Sequence, residues 1–253
     1  MEWIIVLTAF LASLLTLISG FGLGTLMTPV FVLFFPVDLA IALTAVVHLL
    51  NNIFKFGLLF KSVDRNIVLW FGIPGILGAY FGASALSALS SDYAWYFTDL
   101  IQIRPLQSII GILMIVFAIF ELYPQLKNFK FDRKYLVPGG VLSGFFGGLS
   151  GHQGALRSMF LIRANLSVPT YISTGIAIAL LVDLTRIPVY FFRFESSDLN
   201  HHIGLLAITT LAAFGGAFLG KRLMKKVTFR WVQIVVAVLM MGIGMGLILG
   251  LLS

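Results

Sequence analysis

The chain has 253 residues, 59% of them hydrophobic and 11% charged. Apolar runs of 18 residues or more recur between short charged connections, which excludes an ordinary soluble domain and marks a polytopic membrane protein in contact with a lipid bilayer. A net charge of +7 would suggest nucleic acid in a soluble protein, but here Lys and Arg gather in the short connections, where they orient the chain, so no nucleic-acid partner is expected. Cysteine is absent, so disulfides, thiolate metal sites and thiol catalysis are excluded.

The N-terminus reads Met1-Glu2-Trp3 without a basic n-region, so the first apolar stretch is expected to be retained rather than cleaved. Eight apolar segments follow in order, at residues 3–35, 37–60, 66–89 and 105–123, then, after a charged linker at 124–134 containing Pro124, at 135–163, 168–192, 203–220 and 231–252. The first has 33 residues without a charge, about 50 Å as one straight helix against a hydrocarbon core of about 30 Å. Its middle reads Gly20-Phe21-Gly22-Leu23-Gly24 with Pro29 beyond, and the fifth segment carries Gly144, Gly147, Gly148, Gly151 and Gly154. Both are expected to break near mid-membrane, where irregular backbone must line protein or a watery cavity.

The two halves repeat. Ser19-Gly20 recurs as Ser150-Gly151, 131 positions later, and the same offset carries Asn52 and Lys55 onto Asp183 and Arg186. A repeat with polar groups at matching depths is the pattern of a secondary transporter. Counting basic residues selects a topology. If all eight segments crossed, the loops would carry seven Lys and Arg on each side, with no bias. If segments one and five are re-entrant hairpins, thirteen basic residues share one side: Lys61, Arg65, Arg157, Arg163 and the clusters Lys127 to Lys134 and Lys221 to Arg230, against Arg104 and Arg193. That distribution obeys the positive-inside rule. Asp92, Asp99, Glu195 and Asp198 then lie outside.

The expected fold is therefore an all-α polytopic membrane protein of two inverted repeats, each a re-entrant glycine-rich helical hairpin plus three transmembrane helices. Repeat one is 1–123 and repeat two 135–253, packed as one domain with both termini outside. Gly78-x-x-x-Gly82 and Gly216-x-x-x-Gly220 occupy corresponding helices, at a spacing that lets helix backbones approach closely and that also arises by chance among 25 glycines.

On segment two, His48, Asn51, Asn52 and Lys55 fall at i, i+3, i+4 and i+7, on one helical face. A charge near the bilayer centre costs roughly 2.5 to 3.5 kcal/mol on insertion scales, so it faces a cavity, a partner or a ligand. For Lys55 alone, snorkelling toward Lys61 is the competing explanation; it accounts less well for the deeper His48, Asn51 and Asn52. Segment six carries Asp183, Thr185, Arg186 and Pro188. Asp183 and Arg186 are i, i+3 neighbours, either a self-neutralising pair or an arginine fork presented to an oxyanion with Asp183 orienting it or taking a proton.

The hairpin tips at Ser19 to Thr25 and Ser150 to Gly154 expose helix N-terminal N–H groups that attract anions. Gly22, Gly24, Ser150, Gly151, His152 and Gln153 are the candidate contacts there. His48, His152 and Asp183 are candidates for proton coupling, each imidazole equally explained by an interhelical hydrogen bond. His201 and His202 lie in a loop. Arg157 stands open between an interface anchor and a second anion contact.

Gly148-Leu149-Ser150-Gly151 also matches the G-x-S-G of intramembrane serine proteases. The match lies in a glycine-rich run, and its Ser-Gly is mirrored at Ser19-Gly20. No H-x-x-x-H, H-E-x-x-H, Walker loop or dinucleotide fingerprint occurs, which argues against a metalloenzyme or ATP-driven pump; no enzyme, metal or cofactor is expected, an intramembrane serine hydrolase being the more distant alternative.

The stretches SGFGLGTLMTP (Ser19 to Pro29) and SGFFGGLSGHQGALR (Ser143 to Arg157), with a Thr-containing second helix in each half, resemble the TauE/SafE family of sulfite-exporter-like membrane proteins over nearly the whole chain. His152, Gln153 and Arg157 depart from the family's usual second copy. The resemblance implies export of sulfite or a small organosulfonate across the bacterial cytoplasmic membrane. The substrate-binding set is taken as Asn51, Asn52, Lys55, Asp183 and Arg186 with the tip residues, and the mechanism as alternating access. A passive anion channel is the competing class, and a homodimer the candidate assembly.

Overall fold

A computed structural model describes residues 2–19, 22–90, 94–98, 102–123, 133–161, 164, 166–193, 201–223 and 230–252. Among these the chain forms ten α-helices, which are α1 (Glu2–Ser19), α2 (Leu23–Val32), α3 (Val37–Leu59), α4 (Arg65–Leu89), α5 (Pro105–Leu122), α6 (Leu136–Ser150), α7 (Gln153–Leu161), α8 (Val168–Arg193), α9 (Ile203–Leu223) and α10 (Arg230–Ile248). A two-residue antiparallel ladder, Tyr96–Phe97 (β1) with Gln102–Ile103 (β2), sits between α4 and α5. Gly20 and Phe21 at the first expected tip, the linker residues 124–132, and Asp92, Asp99, Arg163, Glu195, Asp198, Lys225 and Lys226 lie outside the described residues.

Helix ends follow local chemistry. Pro36 precedes α3 and Pro105 opens α5, where a missing N–H costs nothing. The Asp64 carboxylate caps α4 by accepting from the Ile67 N–H at 3.0 Å. At Val68–Gly72 α4 widens into a π turn. Gly151 ends α6 in the left-handed region (φ 79°), its N–H donating to the Gly147 carbonyl at 3.0 Å, and α7 begins two residues later. The long fifth segment is thus two helices joined at a glycine, and the first is likewise divided between α1 and α2.

Five helical spans, Val37–Ser62, Arg65–Leu89, Pro105–Leu122, Val168–Phe192 and Ile203–Arg222, are long and apolar enough to cross a membrane; Glu2–Thr16, Leu23–Val32 and Gln233–Ile248 are shorter apolar stretches. Leu77, Phe81, Leu211 and Val235 face outward while Lys55, Asp183 and Arg186 are buried. This inversion of the soluble pattern is what lipid imposes.

Packing between the halves is reciprocal. The first helix of each half lies against the fourth helix of the other, α1 on α9 and α6 on α4, while α3 meets α8 and α5 meets α10. A Cβ on Gly78 or Gly82 would fall on the carbonyls of Val141 and Phe145, and one on Gly216 or Gly220 on those of Phe10 and Leu14. Phe10 and Leu14 precede Val141 and Phe145 by the same 131 positions that separate the Ser-Gly pairs. The two Gly-x-x-x-Gly motifs are therefore equivalent backbone contacts, each filled by the matching residues of the opposite half. Gly111 of α5 and Gly244 of α10 meet each other, a Cβ on either falling 2.5 and 2.7 Å from the other's carbonyl.

Contacts also fix direction. Gly111 approaches Ile248 while Gly244 approaches Ile115, so α5 and α10 run antiparallel. Thr174 Oγ1, early in α8, accepts from the Asp64 N–H just beyond α3 (2.9 Å), while Asp183, later in α8, meets His48 earlier in α3, so these helices are antiparallel too. Lys221 near the end of α9 donates to the Leu58 carbonyl at the end of α3 (3.3 Å), bringing those two ends side by side.

Candidate functional site

The polar face of α3 and the middle of α8 meet in the interior. The His48 Nδ1–H donates to Asp183 Oδ2 at 2.6 Å, Arg186 Nε–H to Asp183 Oδ1 at 3.0 Å, and Asn52 Nδ2–H to Asp183 Oδ2 at 3.4 Å. Arg186 Nη2 also lies 2.8 Å from Asp183 Oδ1, and both side chains are 0% exposed. Asp183 and Arg186 thus form the tight i, i+3 pair, the first of the two explanations, and Asn52 meets Asp183, the residue 131 positions further on. Arg186 also donates from Nη1 to the Gly147 carbonyl at 2.8 Å, and the Tyr190 hydroxyl donates to the Gly148 carbonyl. Two buried side chains of α8 therefore bond the last turn of α6 next to its break, Arg186 sharing the Gly147 carbonyl with the Gly151 N–H.

Lys55, the counterpart of Arg186, makes a different contact. Its Nζ donates to Thr16 Oγ1 at 2.9 Å. Thr16 and Gly147 are again 131 positions apart, so each basic residue reaches the equivalent point on the first helix of its own half. The chemistry differs: Arg186 has a carboxylate, whereas Lys55, 3% exposed, has no carboxylate within salt-bridge distance among the described residues. Nor does its ammonium snorkel to a surface.

Lys55 opens onto an interior cavity of about 30 Å³, lined also by Thr16, Gly22, Leu23, His48, Asn52, Arg157, Leu161, Tyr171, Ile172, Gly175, Ile176 and Ala179. Such a volume admits ordered water. The N-terminal turn of α2 faces it through Gly22 and Leu23, adding N–H dipoles to the two cations. No Asp or Glu is among the described lining residues.

Of the residues singled out in the sequence, Gly22, His48, Asn52 and Lys55 border this cavity together. Asp183 and Arg186 stand one layer behind it, joined through His48. Asn51 turns away, its Oδ1 accepting from Ser13 Oγ at 3.0 Å. Gly24, Ser150, Gly151, His152 and Gln153 gather where the two breaks pack, a Cβ on Gly24 falling 2.9 Å from the Gly151 carbonyl. Ser150 donates to the Phe146 carbonyl at 2.9 Å, and the His152 ring stacks on Phe117 at 5.5 Å. The Ser150 hydroxyl is thus engaged with a backbone carbonyl of its own helix.

Arg157, open in the sequence between an interface anchor and a second anion contact, also borders the cavity, as do Thr16, Tyr171 and Gly175, which no sequence pattern marks. The offset that relates Lys55 to Arg186 also relates Thr16 to Gly147, a signal usable once one of the two contacts is known.

Apolar helices long enough to span a bilayer, packed with shorter apolar helices that break near Gly22 and at Gly151 and closed around a basic cavity, define a multi-pass membrane protein. The chain belongs to the TauE/SafE family: the family model described as "Sulfite exporter TauE/SafE" matches residues 5–247. It is also similar to the "Probable membrane transporter protein YtnM" of Bacillus subtilis (strain 168), 33% identical over 93 residues. That match covers 36% of this chain and 28% of the relative, less than a third of its length. No solved structure matches the chain.

Proposed function

We propose that the protein is a secondary transporter that exports sulfite or a small organosulfonate anion across the bacterial cytoplasmic membrane by alternating access. The observation that carries the proposal is the buried Lys55 ammonium, facing a cavity with Thr16 as its hydrogen-bond acceptor and no carboxylate among the described residues. A cation out of water without a counter-ion is costly, and an anion arriving beside it recovers that cost. Lys55, Asn52, His48 and the α2 N-terminus at Gly22 receive the anion. Asp183 and Arg186 act from behind, His48 linking their pair to the cavity and offering a place for a coupling proton.

The architecture proposed is a pair of inverted repeats, α1–α5 and α6–α10, each a re-entrant hairpin followed by three crossings, with both termini outside. Antiparallel packing of α3 with α8 and of α5 with α10 supports it. If the broken segments crossed fully, each half would cross four times and its equivalent helices would run parallel. The neighbouring ends of α3 and α9 support a common side for Lys61 and Arg222. Rocking one repeat against the other about the α3–α8 contact would expose the cavity alternately.

The test is sulfite flux in proteoliposomes. Saturable uptake accelerated by sulfite on the far side, and lost in Lys55→Ala, is expected. Flux that rises linearly with concentration and shows no counterflow would replace the transporter by a channel.

A further inference from the structure

Arg157 is the one cavity-lining cation that neither the repeat nor the ion-pair network accounts for. It comes from α7, in the second half, while Lys55 comes from α3, in the first, and both reach the same cavity. Arg157 is 8% exposed, and its Nη1 has no hydrogen-bond partner among the described residues. The guanidinium lies along α8 at Gly175, where a Cβ would stand 3.3 Å from Nε, 3.5 Å from Cζ and 3.6 Å from Nη2. A glycine there leaves the planar fork flat against the helix with one edge unsatisfied. No carboxylate is within salt-bridge distance of Arg157 or Lys55 among the described residues, and none lines the cavity. Asp183, the acid behind His48, is taken by Arg186.

Two buried cations without a counter-ion define a charge requirement as well as a location. A monovalent ligand leaves one of them uncompensated; a divalent one matches both, and a planar guanidinium edge suits the paired oxygens of an oxyanion. Resting on the anion-transport proposal, we infer that Arg157 and Lys55 form a two-cation site that selects a divalent oxyanion over a monovalent sulfonate. Within the substrates proposed above, sulfite is then the favoured ion. Gly175 serves as the seat of the Arg157 fork.

Calorimetric titration of the purified full chain in detergent tests this, with sulfite and methanesulfonate as probes, at matched ionic strength and neutral pH, where a large share of sulfite is already the dianion. The variants are Arg157→Gln, Arg157→Lys and Lys55→Gln, each first checked for an intact thermal transition without anion. Wild-type protein is expected to prefer sulfite. Arg157→Gln is expected to weaken sulfite by about 30-fold or more, as loss of one partner of a buried charge pair does, and to weaken methanesulfonate much less. Arg157→Lys, which keeps the charge and loses the fork, retains the preference at reduced affinity.

Wild-type preference for methanesulfonate overturns the proposal, as does unchanged sulfite affinity in Arg157→Gln. If sulfite binding then still fails in Lys55→Gln, the anion-transport proposal survives without Arg157. Wild-type affinity in both glutamine variants overturns the cavity as the anion site altogether. Should Arg157→Gln not fold, the wild-type preference and the Arg157→Lys titration decide: loss of preference with charge retained overturns the assignment.

Discussion

Replacing Asp183 by Asn separates a structural role for the buried pair from a role in binding. The substitution hardly changes size, but it removes the charge that His48, Asn52 and both Nε and Nη2 of Arg186 surround. An amide can turn its oxygen toward only some of these donors, and its NH₂ then faces the rest. Arg186, at 0% exposure, keeps its charge with only the Gly147 carbonyl as firm partner. Breaking one side of a buried pair costs about 3 to 5 kcal/mol, and in a chain of this size each kcal/mol moves a melting midpoint by about 2 to 4 °C. Asp183→Asn should therefore melt roughly 6 to 20 °C below wild type, read by the thermal transition of detergent-solubilised protein. The double variant Asp183→Leu with Arg186→Met, which removes both charges and roughly keeps the volume, should recover most of the loss. A single variant melting within about 2 °C of wild type would refute the reasoning, because Arg186 would then have found another counter-ion or water.

Gly78→Leu and Gly216→Leu should each cost about 3 kcal/mol or more, since both drive a side chain into the backbone of the facing helix, whereas Gly57→Ala, with nothing within 4 Å, should be neutral in the same thermal assay. Unequal losses at the two Leu variants would show that the two contacts are not equivalent. Tyr190→Phe strips the buried Gly148 carbonyl of its donor and should lower stability by about 1 to 3 kcal/mol, measured by the same transition. Because the chain has no cysteine, single Lys61→Cys and Arg222→Cys variants can be labelled with an impermeant thiol reagent in oriented vesicles. Both should react from the same side, and opposite sides would dismantle the hairpin topology.

Much of the helical frame is legible because its punctuation is chemical. Pro36 and Pro105 mark the starts of α3 and α5, and the glycines after Phe146 mark where α6 gives way to α7. The π turn at Val68–Gly72 leaves no comparable mark, since widening a helix by one residue needs no particular side chain. The face carrying His48, Asn52 and Lys55 is visible as a period along one helix. Its neighbours are not: that Lys55 finds Thr16 while Arg186 finds Gly147 depends on helix approach, which periodicity does not encode. The position of Arg157 is not encoded in any local pattern. It lies four residues into α7, and where that turn points depends on the left-handed step at Gly151 and the space left by Gly175, two backbone properties far apart in sequence.

In the proposed architecture the repeat is the scaffold, and departures from it are the source of the chemistry. Strict duplication would place like groups on both sides of the α3–α8 contact: two lysines with two asparagines, or two self-neutralised Asp–Arg pairs. The first would leave an electropositive interior with no acid to hold His48. The second would leave a neutral one with little reason to admit an anion. By carrying Asn52 and Lys55 in one half and Asp183 and Arg186 in the other, the chain obtains one neutral, rigid side that ties α8 to the break after α6 through the Gly147 and Gly148 carbonyls. The other side has its charge uncommitted beside a cavity. His48, bonded to Asp183 and bordering the cavity, is where the two sides touch. An anion in the cavity, as proposed, would lie beside His48, whose contacts run through Asp183 and Arg186 to the Gly147 carbonyl at the α6–α7 break. That path is the physical element through which binding could bias one arrangement of the repeats over the other.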